Sequence, residues 1–122
     1  MRGTIDKSGR ALVRIPLRQG TTASLVILEV WIDTGFTGEL VLPRSVIEQM
    51  KLIESGSVDA ILADGSQIKL STFTCVIDWF GAERQLEVIA NEGDYPLLGV
   101  GLLLDLELIA NYRTHTLTLE LT

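Results

Sequence analysis

One cysteine and one histidine in 122 residues exclude several chemistries at once. A lone Cys75 cannot form an internal disulfide. It stands between Thr74 and Val76 in a strand-like stretch and reads as a small buried hydrophobe. The chain is therefore compatible with a reducing compartment, and a cytoplasmic location is the expectation. One His with one Cys falls short of a zinc ligand set. His115, in Arg113-Thr114-His115-Thr116, reads as a surface residue of a hairpin turn, with no Ser or Cys placed to make a triad with it. Basic stretches are absent and the formal charge is −6, which argues against a nucleic-acid partner. Met1 to Arg10 mixes charges and glycines and lacks the apolar centre of a secretory signal. The longest apolar stretch, Tyr95 to Leu104, is well short of the ~18 residues of a membrane span. Gly99-Val100-Gly101 lacks the third glycine and the later acidic residue of a nucleotide fingerprint. With no repeat, linker or low-complexity tract, residues 1–122 are expected to form a single domain.

What the chain does have is strand pattern. Arg10 to Leu17 alternates, with Val13, Ile15 and Leu17 on one side, and Pro16 predicts a sheet edge there. Gln19-Gly20-Thr21-Thr22 reads as a turn. Ala23 to Ile32 is so nearly continuous in apolar residues that burial on both faces is expected. Glu39 to Leu42 is a short strand, and Pro43 opens a helix over Arg44 to Met50 whose Val46, Ile47 and Met50 share a face. Val58, Ala60 and Leu62, then Ile68 and Leu70, alternate on either side of Asp64-Gly65. That pattern predicts a hairpin with positive φ at both central residues. Thr72 to Phe80 and Arg84 to Ala90 read as a further hairpin, Asn91 to Asp94 as a loop, and Val100 to Leu106 as a short helix whose outer end Asp105 and Glu107 solvate. Leu117, Leu119 and Leu121 alternate in a last strand over Asn111 to Glu120, which pairs either within its own subunit or with a symmetry mate. Trp31 and Trp79 read as core, with an interface role as the alternative. Many short strands with one or two short helices describe an all-β, closed, barrel-like domain.

The chemistry-bearing feature is Asp33-Thr34-Gly35, placed directly after the apolar strand. A carboxylate there is costly to bury unless it is paired or has a task. It can also be simply a turn cap, with Gly35 supplying a positive φ. Context widens the reading: in Asp33-Thr34-Gly35-Phe36-Thr37-Gly38-Glu39-Leu40-Val41-Leu42-Pro43, two glycines three apart permit a tight loop that carries the Asp outward.

This order of elements resembles the retropepsin-like aspartic proteases: strand, Asp-Thr-Gly, short strand ending in Leu-Pro, helix, the Ala63-Asp64-Gly65-Ser66 hairpin, then Leu97-Leu98-Gly99. It is most similar to the small single-domain prokaryotic type with Asp-Thr-Gly-Phe, and the likeness runs from about residue 10 to the end. The resemblance implies that Asp33 is the catalytic aspartate, that Thr34 interlocks two active-site loops, and that Gly35 lets the loop turn and offers its amide. It implies that Ala63, Asp64, Gly65 and Ser66 form a flap over bound peptide, and that Leu97, Leu98 and Gly99, crossing behind the loop, belong with them to the substrate-binding residues. Two departures stand out. Val100 occupies the place after Gly99 where retroviral members carry an Arg, and the flap lacks a glycine-rich tip or a Tyr.

With one such Asp per chain and two needed, the resemblance implies a homodimer acting on a peptide or protein substrate, without metal or cofactor. A non-catalytic dimer that binds peptide or protein is the competing class. A phosphoryl-accepting Asp33 is a third, weakened because Thr34, Gly35, Phe36 and Thr37 supply no acidic neighbour to hold Mg²⁺.

Overall fold

The computed structural model describes residues 1–21 and 23–122; Thr22, in the turn expected over Gln19–Thr22, lies outside the described residues. Among the described residues, ten strands, one α-helix and one 3-10 turn follow in order. They are β1 (Arg2–Ile5), β2 (Ala11–Arg18), β3 (Val26–Ile32), β4 (Leu40–Pro43), α1 (Arg44–Met50), β5 (Ile53–Ile61), β6 (Gln67–Trp79), β7 (Ala82–Asn91), β8 (Leu97–Leu98), the 3-10 turn Val100–Leu102, β9 (Leu106–Asn111) and β10 (Thr116–Leu121). All the strands belong to one sheet. Strands β6, β7, β4, β8, β3 and β2 form a ring that closes where Leu17 and Arg18 of β2 pair with Ile77 and Val76 of β6. The all-β, barrel-like architecture expected from the pattern is the one observed. Outside the ring, β5 lies beyond β6, while β1, β10 and β9 extend from β2.

The ring encloses the core. Ile15, Leu17, Leu40, Leu42, Ile77, Leu86 and Leu98 are fully buried in it, and each such side chain contributes roughly 1.5–3 kcal/mol by leaving water. Helix α1 spans the residues expected of it. Pro43, at φ −57°, precedes its first turn, and Lys51, at φ 55°, ends it while Leu52 N–H donates to Ile47 O at 3.1 Å. Ile47 is buried, and Val46 and Met50 pack against the core beside it.

Several expectations need correction. Pro16 is not among them: β3 pairs with it on one side, and on the other it falls in the gap after the β1 pairing at Leu12 and before the β6 pairing at Leu17, a local edge as expected. Strand β3 is not buried on both faces. Val30 and Ile32 point inward, whereas Ile27 is 57 % exposed and Trp31 38 % exposed on the outer face. The apolar run therefore reports two faces with different neighbours. Only a 3-10 turn covers Val100–Leu102; Asp105, at φ 66°, breaks the chain into β9, so Glu107 lies on a strand rather than at a helix end. Thr72–Phe80 is the second half of a longer β6, and the chain reverses at Phe80-Gly81 with φ of 51° and 82°. Phe80 accepts that conformation while stacking edge-on against Trp79, ring centroids 5.0 Å apart. Leu117 and Leu119 are buried within their own subunit, where β10 pairs with β1 and β9.

Candidate active site

Strand β3 delivers Asp33 to the end of the ring. The Asp33 amide donates to Leu98 O at 2.8 Å, continuing the parallel pairing of Trp31 and Ile32 with Leu97 and Leu98. The chain then turns: Phe36 N–H donates to Asp33 O at 3.2 Å, and Gly35 N–H donates to Asp33 Oδ1 at 2.9 Å. The second bond holds the carboxylate to the loop through Oδ1. Gly35 is not in the positive-φ region. Its requirement is space, because a Cβ there would lie 3.2 Å from Asp33 Oδ1. Thr34 is exposed on the loop crest, and among the described residues its hydroxyl makes no hydrogen bond.

Behind the loop, Gly99 passes so close that a Cβ would meet Gly38 O at 2.2 Å and Phe36 O at 2.7 Å. Three amides staple this crossing: Gly99 to Glu39 O at 2.9 Å, Val100 to Phe36 O at 2.8 Å and Gly101 to Gly38 O at 2.9 Å. Leu98 anchors the crossing in the core, and Trp79 Nε1–H donates to Leu102 O at 3.0 Å from beneath. Beside the crossing, Arg84 on β7 meets the side chain of Glu39, whose backbone O accepts from Gly99, at 2.8 Å.

Two cavities meet at Asp33 and Leu97. The larger, about 530 Å³, is lined by Asp33, Gly35 and Phe36, by Val58, Asp59, Ala60, Ile61 and Leu70 of the β5–β6 hairpin, and by Ile89 and Asn91. The other, about 370 Å³, is bounded by Trp31, Ile32, Asp33, Thr34 and Leu97. The hairpin arms, not its tip, line the larger cavity. Ala63, Asp64, Gly65 and Ser66 make the turn itself and lie outside both linings, as do buried Leu98 and Gly99. In that turn only Gly65 has positive φ, 85°; its N–H donates to Leu62 O, and Leu62 N–H to Ser66 O, so the loop is a residue wider than the expected two-residue turn. Asp64 Oδ1 accepts from Ser66 Oγ and Ser66 N, bonds that hold its carboxyl below the usual range.

Trp31, expected in the core or at an interface, is 38 % exposed, lines the second cavity and stacks with Tyr95 and Arg10. Tyr95 meets Trp31 edge-on with centroids 6.2 Å apart, and the Arg10 guanidinium lies 4.6 Å from the Tyr95 ring centre. The available signal was the alternation itself, which puts Trp31 and Asp33 on the same side of β3.

The arrangement has counterparts among solved structures. Over 98 % of this chain and 88 % of the other, the fold matches a retropepsin-like aspartic protease from Rickettsia conorii, with TM-score 0.65 and 16 % identity. EIAV protease, in complex with the inhibitor HBY-793, matches over 84 % of this chain and 92 % of its own, with TM-score 0.58 and 18 % identity. The fold is that of the retropepsin-like aspartic proteases. No family model and no curated protein matches the chain by sequence. The retropepsin fold is thus carried here at low identity, by backbone crossings such as Gly99 against Gly38 rather than by extensive shared sequence. Among the described residues, no helix is long and apolar enough to cross a membrane.

Proposed function

We propose that this chain is a homodimeric aspartic endopeptidase, with one Asp33 from each subunit forming the catalytic pair. The observation that carries the reading is the fixed Asp33 carboxylate at the meeting point of two cavities, on a loop whose exposed crest, Thr34, is free to meet a second copy. Two carboxyls brought face to face resist double ionisation and share one proton. A water between them gives a proton to the ionised carboxyl and attacks the scissile carbonyl. The protonated carboxyl donates to the developing oxyanion, and a proton returned to the nitrogen lets the amine leave. The chemistry calls for no metal or cofactor.

In this reading an extended peptide lies between the active-site floor and the β5–β6 hairpin, adding its backbone hydrogen bonds to strand edges. Val58, Ala60, Ile61 and Leu70 supply an apolar roof. Ile61, 74 % exposed, gains cover when peptide binds. Thr34 interlocks the two loops at the axis, and Ala63 to Ser66 form the tip of the flap.

A peptide-library digest between about pH 4 and 7, the range where a proton-sharing pair works, tests the proposal. Wild-type protein is expected to cleave and Asp33→Asn to leave every peptide intact. A wild type shown to be dimeric that binds peptides and cuts none would turn the reading to a peptide-binding module.

A further inference from the structure

The β5–β6 hairpin leaves the rest of the sheet along a definite line. Thr72 to Trp79 of β6 have β7 as a second neighbour, whereas Gln67 to Ser71 pair with β5 alone. A two-stranded ribbon is marginal by itself, and the outer arm residues are mostly exposed. The angle of the hairpin over the larger cavity is therefore set at its base. Three features coincide there. The register of β5 against β6 shifts between Glu54 and Gly56, which leaves Ser55 as the extra residue of a bulge. Thr72, paired with Gly56 on one side and Ile89 on the other, is the one polar side chain buried among the described residues. Glu87 reaches the same place from β7: Ser55 Oγ donates to Glu87 Oε2, and Thr74 Oγ1 donates to Glu87 Oε1 at 3.3 Å. Ser55 Oγ and Thr72 Oγ1 lie 3.0 Å apart. Ser55 has one hydroxyl proton and gives it to the carboxylate, so Thr72 is the donor in that pair. A bulge bends its strand and re-aims a side chain. Here it aims Ser55 at a carboxylate two strands away.

We infer that Glu87 is a positioning residue for peptide capture, which through Ser55 and Thr72 clasps the base of the hairpin and holds its arms over the cavity. The inference rests on the proposed peptide site. Val58, Ala60, Ile61 and Leu70, which the hairpin gives to the cavity lining, all lie beyond the bulge. Ile89, two residues from Glu87 on the same face of β7, lines the cavity from the strand that does not swing with the hairpin. The clasp spans these two parts, so it sets the width of the gap before a peptide enters, and a gap already at its working width costs less to order on binding. Glu87 does not line the cavity itself and acts only through the hydroxyls it holds. Ser55 and Glu87 are both exposed, so their bond adds little to the stability of the whole domain. Its consequence is confined to the element it ties down.

Amide exchange and peptide binding test the clasp apart from cleavage. In Glu87→Ala, the amides of residues 57–61 and 67–71 are expected to exchange about fivefold faster or more, while those of β2 and β3 and the urea midpoint stay nearly unchanged. Ser55→Ala should do the same, and the double variant should go no further than either alone, because both remove one clasp. Glu87→Gln keeps an oxygen that accepts from a hydroxyl and should restore much of the protection. In Asp33→Asn protein, adding Glu87→Ala should weaken the binding of library peptides about fivefold, and where wild type cleaves, Glu87→Ala should raise KM about as much with kcat unchanged. Hairpin exchange that does not change, or that rises equally in β2 and β3, would overturn the inference, as would faster hairpin exchange with peptide affinity intact. Failure of every peptide to bind Asp33→Asn protein would overturn it together with the protease reading. Peptide binding that Glu87→Ala weakens, in a protein whose wild type cuts nothing, would leave the clasp standing and sink the protease reading alone.

Discussion

At Gly99 a single added methyl group has nowhere to go. Its Cβ would lie 2.2 Å from Gly38 O, a backbone atom that cannot swing aside. Gly99→Ala is expected to destabilise the fold by about 2 kcal/mol or more, as overpacking in close-packed interiors does, and a lowered urea midpoint would show it. Gly35→Ala is a different case, because the atom it meets, at 3.2 Å, is the side-chain oxygen of Asp33. That substitution should leave the urea midpoint nearly unchanged while peptide cleavage falls at least tenfold. Cys75 makes a third residue-level prediction. Burial, with Glu39 and then Glu87 nearby, pushes its thiol up to about 12 from an ordinary value of 9.0. Between those values the unfolded chain gives up a proton that the folded chain keeps, so stability is complete below pH 9 and declines above it. Unfolding measured from pH 8 to 10.5 should show that decline, and Cys75→Ala should reduce its slope. Asp33 and its glycines were legible in the sequence because each answers a local requirement. Trp31 was not, since alternation assigns a residue to a face without saying what covers that face.

The hairpin of β5 and β6 shows how far local signals reach. Asp64-Gly65 marked the turn correctly, and the alternation of Val58 and Ala60 with Ile68 and Leu70 marked its arms. The details depended on hydrogen bonds that residue types leave open: Ser66 takes the Asp64 carboxylate, and only Gly65 adopts positive φ. Because those bonds hold the Asp64 carboxyl below its usual range, the turn should be firm at neutral pH and loosen as pH falls through the lowered value. Amide exchange at Ser66 is expected to accelerate in Asp64→Ala at pH 6, with the core strands unchanged. Equal exchange in the two proteins would mean that the carboxylate does not order the tip. Strands β1 and β9 were missed for a related reason. Each is short and polar on one side, and each becomes a strand by pairing with β10, a partner that lies far along the chain in the case of β1.

For the whole molecule, closure of the ring through Leu17 and Arg18 against Ile77 and Val76 leaves no trace in local pattern, since it joins distant segments. The resemblance carried that part of the expectation, and the solved retropepsin folds bear it out at 16 and 18 % identity. Leu117 and Leu119 serve their own subunit while Leu121 is 63 % exposed, and in the proposed dimer the Thr34 loop crest lies at the axis. The central claim, that one active site is made from two chains, is tested most directly by subunit mixing. Wild-type protein is held at fixed concentration while Asp33→Asn protein is added, with time for exchange of subunits, and peptide cleavage is followed. Because each mixed dimer would carry one catalytic carboxyl, activity is predicted to fall to about half at equal amounts and toward zero in excess Asp33→Asn. Activity that stays constant through a large excess, under conditions where exchange is demonstrated, would contradict a shared pair of Asp33 carboxyls.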